Sequence, residues 1–145
     1  LERSAAAKDM FLNGYNCAQS ILYAFRKELA LTEEAALKIS TGLGAGMARK
    51  GEVCGAVTGG ILILGMRHGR GLNEDRTATE TTYSKTQELM SLFTSKYGSC
   101  SCRKLLKDCD LSTQDGQDSF KGNDYLNQIC LKCVLSVVDI LEQIK

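Results

Sequence analysis

Proline and tryptophan are absent from this chain, and histidine occurs once. Without proline there are no rigid X-Pro turns and no built-in helix breakers, which suits helices joined by short connections. A single histidine, His68, excludes a two-histidine zinc site within one chain. An excess of either charge is also missing, since 18 Lys and Arg stand against 17 Asp and Glu. That balance gives no reason to expect nucleic acid or an acidic membrane surface as a partner. No apolar run is long enough to span a bilayer; the longest charge-free stretch, Val53 to Met66, suits a buried helix instead. The opening Leu-Glu-Arg-Ser and its following alanines lack the apolar block of a signal peptide, so the expected compartment is the cytoplasm and membrane insertion is not expected.

Against these absences stand seven cysteines, at positions 17, 54, 100, 102, 109, 130 and 133. With 145 residues the chain can bury a core in one domain without disulfide staples. An odd number of cysteines in a cytoplasmic chain points to reduced thiols used for metal or redox chemistry.

The apolar period is helical nearly throughout, and the expected fold is an all-α, single-domain helical bundle over residues 1–145. Residues 2–13 read as a first helix stopped by Gly14. Asn16 with Gln19 forms a capping box for a second, striped by Ile21, Leu22, Phe25 and Leu29. Thr32 starts a short third helix through Ile39, followed by a flexible joint from Thr41 to Met47. Glu52 to about Arg67 is apolar or small on every face and should be the buried helix that the others surround. Within it Gly55, Ala56, Gly59 and Gly60 thin one flank. Each helical Gly costs roughly 0.5–1 kcal/mol relative to Ala, so a close neighbour, helix or bound group, is expected there. A polar helix from about Asn73 to Tyr97 turns Tyr83, Leu89, Met90, Phe93 and Tyr97 to the core. Ser101 caps a short segment, residues 110–123 read as a loop, and a final helix carries Leu126, Ile129, Cys130, Cys133, Val137 and Ile140 on one stripe.

Three cysteines fall at expected helix starts: Cys17 after Asn16, Cys54 behind Arg49 and Lys50, and Cys102 after Ser101 and before Arg103 and Lys104. The helix dipole and nearby cations should favour their thiolates and lower their pKa values. Cys130 and Cys133 form a C-x-x-C pair inside a helix, where Cys133 reads as core filler. No covalent haem is expected, because Val134 and not His follows Cys133. His68 and Cys54, at opposite ends of one helix, make a poor Cys–His dyad, being roughly 21 Å apart at 1.5 Å per residue. Gly42-x-Gly44-x-Gly46 lacks the order of a phosphate loop and reads as a joint that brings Arg49 and Lys50 near Cys54.

The stretch Cys54-Gly55-Ala56-Val57-Thr58-Gly59, with Gly14-Tyr15-Asn16-Cys17-Ala18 before it and Cys102-Arg103-Lys104-Leu105-Leu106 and Cys130 after, resembles the C_GCAxxG_C_C family of small prokaryotic redox proteins. The family looks related to the helical domain of split-Soret cytochromes, although this chain lacks their haem-attachment sequences. The resemblance implies that Cys17, Cys54, Cys102 and Cys130 are the working thiols, with Cys100, Cys109 and Cys133 outside the set. It also implies a redox partner or a transporter-associated one, since many relatives are encoded beside transporters. Three functions stay open for these thiols. The thiols run dithiol–disulfide or electron-transfer chemistry as a thiol-dependent oxidoreductase, or they hold zinc or an iron–sulfur cluster, or they pack a non-catalytic interaction protein.

Overall fold

In the computed structural model, which describes residues 2–145, the caps written in the sequence mark the starts of helices. Helix α1 (Glu2–Leu12) ends ahead of Gly14, whose φ of +99° is open to glycine at little cost. Helix α2 (Cys17–Phe25) begins on the expected capping box. The Asn16 side chain accepts from the Gln19 N–H at 2.9 Å, and the Gln19 side chain accepts from the Asn16 N–H at 3.0 Å. Thr32 caps α3 (Glu33–Ser40), which runs through a 3-10 turn, Thr41–Leu43, into the short α4 (Gly44–Ala48). There follow α5 (Gly55–His68), α6 (Arg76–Tyr97) capped by Asp75, and α7 (Cys102–Leu105) capped by Ser101. The chain closes with α8 (Gln114–Gly122), a π-helical turn at Leu126–Cys130 and α9 (Leu131–Gln143).

Helix α5 is the buried centre, with Gly55 to Gly60, Ile63 and Leu64 all inside. Its glycines are explained by close approach. A Cβ on Gly59 would stand 3.1 Å from the Cα of Ala18 in α2, and one on Gly60 would stand 2.9 Å from Leu89 of α6 and 3.1 Å from Val137 of α9. Bulk is thus removed from two flanks rather than one, and neighbouring helices fill the space. Around α5 the fully buried Phe25, Phe93, Ile21, Leu22, Leu89 and Leu141 form the core. At its C-terminal end Arg67 donates to Glu28 at 2.6 Å and to the Leu141 carbonyl at 2.8 Å. Arg3 joins the same Glu28 and also Glu142, so α1, the turn after α2, α5 and α9 are tied at that end.

Two expectations are corrected here. Tyr83 is 59% exposed and does not face the core. Residues 114–122, expected as loop, are helical: Thr113 caps α8 by accepting from the Gly116 N–H, and the polar segment QDGQDSFKG hides the helical period that apolar residues would reveal. Among the described residues there is no strand beyond one isolated antiparallel bridge, Val53 to Ser101, and the fold is all-α. No described helix is long and apolar enough to cross a membrane.

Candidate functional site

The isolated bridge builds one side of the site. The Cys54 N–H donates to the Cys100 carbonyl at 2.7 Å and the Cys102 N–H donates to the Glu52 carbonyl at 2.6 Å. Cys54 is therefore extended (φ −50°, ψ 132°) and immediately precedes α5, rather than lying in its first turn, while Cys102 opens α7 from the paired segment. Cys17 opens α2 and lies against Gly55, where a Cβ would come within 3.0 Å of its Sγ. Cys130 ends the π-helical turn, and Cys133 lies one turn later in α9.

These elements enclose a cavity of about 490 Å³ lined by Cys17, Cys54, Cys102 and Cys130, all four of the thiols singled out in the sequence. Cys133, 1% exposed and part of the core as expected, lines it too. Its spacing of three from Cys130 was the signal that placed both on one face. Cys100 and Cys109 lie elsewhere. The Cys100 thiol is 3.4 Å from the Thr94 hydroxyl, and that of Cys109 donates to the Gly116 carbonyl at 2.9 Å. All seven cysteines are free thiols. His68, at the opposite end of α5 from Cys54, takes no part, and its Nε2 is buried without a partner.

Two uncommon backbone forms border this cavity. Ala45, Gly46, Met47, Ala48 and Arg49 have φ of 55°, 64°, 66°, 55° and 69°, a left-handed turn where a flexible joint was expected. Each non-glycine residue in that conformation costs roughly 1–2 kcal/mol. The turn is held by the Arg49 N–H on the Ala45 carbonyl and the Glu52 N–H on the Gly46 carbonyl, both at 2.9 Å. Gly46 is required there, because a Cβ would fall 2.7 Å from that of Cys102. The turn brings Ala45 and Arg49 to the cavity, and the π-helical turn brings Leu126, Ile129 and Cys130. Strained or irregular backbone of this kind collects at functional sites.

The electrostatics reverse the expectation of acidic thiols. Burial, and then the nearby Cys54, push Cys17 up to about 12 against the N–H groups of Ala45, Cys17 and Ala18, which favour its thiolate. The neighbouring Cys133 thiol and burial raise Cys54 well above the ordinary thiol value, opposed by the N–H groups of Ala56 and Val57. Burial raises Cys102 to about 12 and raises Cys130 as well, in each case with help from the other cavity thiols. Helix-start donors act at Cys17 and Cys54 as the sequence implied but not at Cys102, and desolvation and mutual repulsion outweigh them. For Cys17, Cys54, Cys102 and Cys130 the surroundings thus favour thiol over thiolate. Among the described residues, no three His, Cys, Asp or Glu side chains are gathered closely enough to hold one metal ion.

Residues 15–144 match the C_GCAxxG_C_C family, which is described as "Putative redox-active protein". The chain belongs to this family. Its match begins at Tyr15, two residues ahead of Cys17, and runs past the end of α9, so all five cavity cysteines of this C_GCAxxG_C_C protein lie within it. No curated protein and no solved structure matches the chain.

Proposed function

We propose that the protein is a thiol-dependent oxidoreductase in which Cys17, Cys54, Cys102 and Cys130 cycle between dithiol and disulfide. The observation that carries this is the convergence of four thiols from separate segments on one cavity, with Cys54 as the neighbour common to the other three. In dithiol–disulfide exchange one thiolate attacks a substrate disulfide and expels one substrate thiol. A second protein thiolate then attacks the mixed disulfide, leaving an intrachain disulfide and a second substrate thiol. The attacker is drawn from Cys17 and Cys54, the two sulfurs at which backbone N–H groups favour the thiolate, those of Ala45, Cys17 and Ala18 at the first and of Ala56 and Val57 at the second. Exchange needs only pairs of thiols. Zinc or an iron–sulfur cluster needs three or four within bonding distance, which this cluster would reach only by rearranging.

The test is equilibration of the anaerobically reduced protein in thiol–disulfide buffers of stepped potential, with disulfides mapped by mass spectrometry. One reversible intrachain disulfide that includes Cys54 is expected, and Cys54→Ser should abolish it. Four thiols that stay reduced in every buffer, in folded protein, would sink the proposal.

A further inference from the structure

Three of the five cavity thiols lie deep, and Cys17 and Cys130 are half-buried. Cys54, Cys102 and Cys133 are 7%, 8% and 1% exposed. Exchange requires a sulfur of the partner to approach the attacking sulfur directly, and a disulfide on the surface of a folded protein does not reach so far inside. A cavity of about 490 Å³, by contrast, has the size of a small-molecule site. Its walls are largely apolar, with Phe11, Leu106, Leu111, Phe120 and Ile129 among them. The charged side chains on its lining are Arg49 and Lys121, both exposed and both cationic, and no Asp or Glu lines it. Among the described residues neither cation has an ion-pair partner. Arg49 is moreover carried by the last residue of the left-handed turn, so its backbone is fixed at the rim at some cost in strain.

We propose that the cavity takes a small organic anion, with its apolar body against Phe11, Leu111 and Phe120 and its anionic group on Arg49 and Lys121. That this ligand is also the exchange substrate, a low-molecular-weight disulfide, rests on the thiol-exchange proposal above. In that step a cavity thiolate bonds to one ligand sulfur while the ligand S–S bond breaks. A second cavity thiolate displaces the bound half, and the two protons of the protein thiols leave on two ligand thiols. The protein is oxidised to one disulfide and the ligand is reduced.

Calorimetric titration with three probes of one shape and different charge separates the contributions: naphthoate, naphthamide and naphthylmethylammonium. One naphthoate per chain is expected, bound more tightly than the amide and much more tightly than the cation. The double variant Arg49→Gln, Lys121→Gln should raise the Kd for naphthoate roughly tenfold and leave that for naphthamide unchanged, as two rim charges predict. Leu111→Trp, which fills the cavity, should weaken all three. Binding indifferent to probe charge, or no binding to protein whose helical spectrum is intact, overturns the proposal. A second measurement follows oxidation of the reduced protein by the anionic aromatic disulfide dithiodibenzoate and by the cationic disulfide cystamine. Faster oxidation by dithiodibenzoate, lost in the double variant, supports the anion as substrate. Charge-selective naphthoate binding with no oxidation by either disulfide keeps the ligand class and overturns thiol exchange. Equal oxidation by both, unaffected by the double variant, keeps exchange and overturns the ligand class.

Discussion

Cys102 donates its backbone N–H to the Glu52 carbonyl at 2.6 Å, and through this bond a thiol that opens α7 is held beside one that precedes α5. The attachment is made by backbone alone, so it does not depend on either sulfur. In a regular antiparallel pair, residues related as Cys54 and Cys102 are diagonal neighbours, roughly 7–8 Å apart. A disulfide needs Cβ atoms at about 4 Å. Closing one between these two residues would therefore pull the bridge apart, and Cys54 should pair with a thiol from another segment. Hydrogen exchange tests this: the amides of Cys54 and Cys102 should stay protected in the oxidised protein. Loss of protection at both on oxidation would show that these two sulfurs are the pair.

The left-handed turn makes the usual glycine rule run backwards. Ala48 is exposed with φ 55°, so Ala48→Gly removes a steric cost of roughly 1–2 kcal/mol and adds an unfolded-state entropy cost of roughly 0.5–1 kcal/mol. A net gain of up to about 1 kcal/mol in urea denaturation is expected. Gly46→Ala should lose stability, because its Cβ would also meet the Glu52 backbone nitrogen at 2.9 Å. A loss on Ala48→Gly would mean that the turn carries no strain.

How far the sequence leads depends on whether a feature is local. The Asn16–Gln19 capping box, the Thr32 and Ser101 caps and the buried run of α5 are written in neighbouring residues and are found where expected. The convergence of Cys17, Cys54, Cys102 and Cys130 is legible through the helix-start positions of the first three and the family pattern that adds the fourth. Other features depend on what the chain meets after folding. The left-handed turn at Ala45–Arg49 is held by the bond from Glu52 and leaves no room for a side chain at Gly46 beside Cys102, and no residue type there except Gly46 announces it. The thiol pKa values went the other way because burial is a tertiary property, whereas the dipole and cation arguments see only adjacent residues. Cys133 is core, as expected, and lines the cavity as well. A residue that is 1% exposed can still line a cavity, and sequence pattern does not separate the two.

Cys133 should act on Cys54 rather than on the fold. Its thiol is the leading cause that raises Cys54, so removing it should make the Cys54 thiolate easier to form. Cys133→Ala removes the thiol without overfilling the core and adds no polar atom to a buried site. Alkylation of Cys54 by iodoacetamide at mildly alkaline pH, followed by peptide mass spectrometry, should be several-fold faster in this variant. An unchanged rate would show that burial alone keeps Cys54 protonated.

The glycines of α5 should divide by environment. Gly65 has nothing within 4 Å of a built Cβ, whereas at Gly59 the nearest atom, at 3.1 Å, is backbone of Ala18. Gly65→Ala should gain about 0.5–1 kcal/mol from helix propensity. Gly59→Ala should lose about 1–3 kcal/mol by forcing α2 away from α5. Chemical denaturation of the two variants gives the comparison, and equal gains from both would mean that α2 and α5 are not in close contact.

Alkaline pH should destabilise the reduced protein in a way that identifies the cavity thiols. A thiol is neutral when protonated, and Cys17 and Cys102 keep their protons in the folded state up to about 12. In the unfolded chain the same groups ionise near pH ~8.5. Between those limits only the unfolded state releases the proton, so rising pH draws the equilibrium toward unfolding. The stabilisation is complete below the unfolded value and is lost as pH climbs toward the folded one, with a slope of about 1.4 kcal/mol per pH unit for each such thiol. Urea denaturation between pH 7 and pH 10.5, in excess reductant, should show a level region and then this decline. Replacing Cys17 and Cys102 together by Ala should lower stability at neutral pH through lost packing and yet make the alkaline decline shallower. A decline of the same slope in that variant would place the responsible groups elsewhere in the chain.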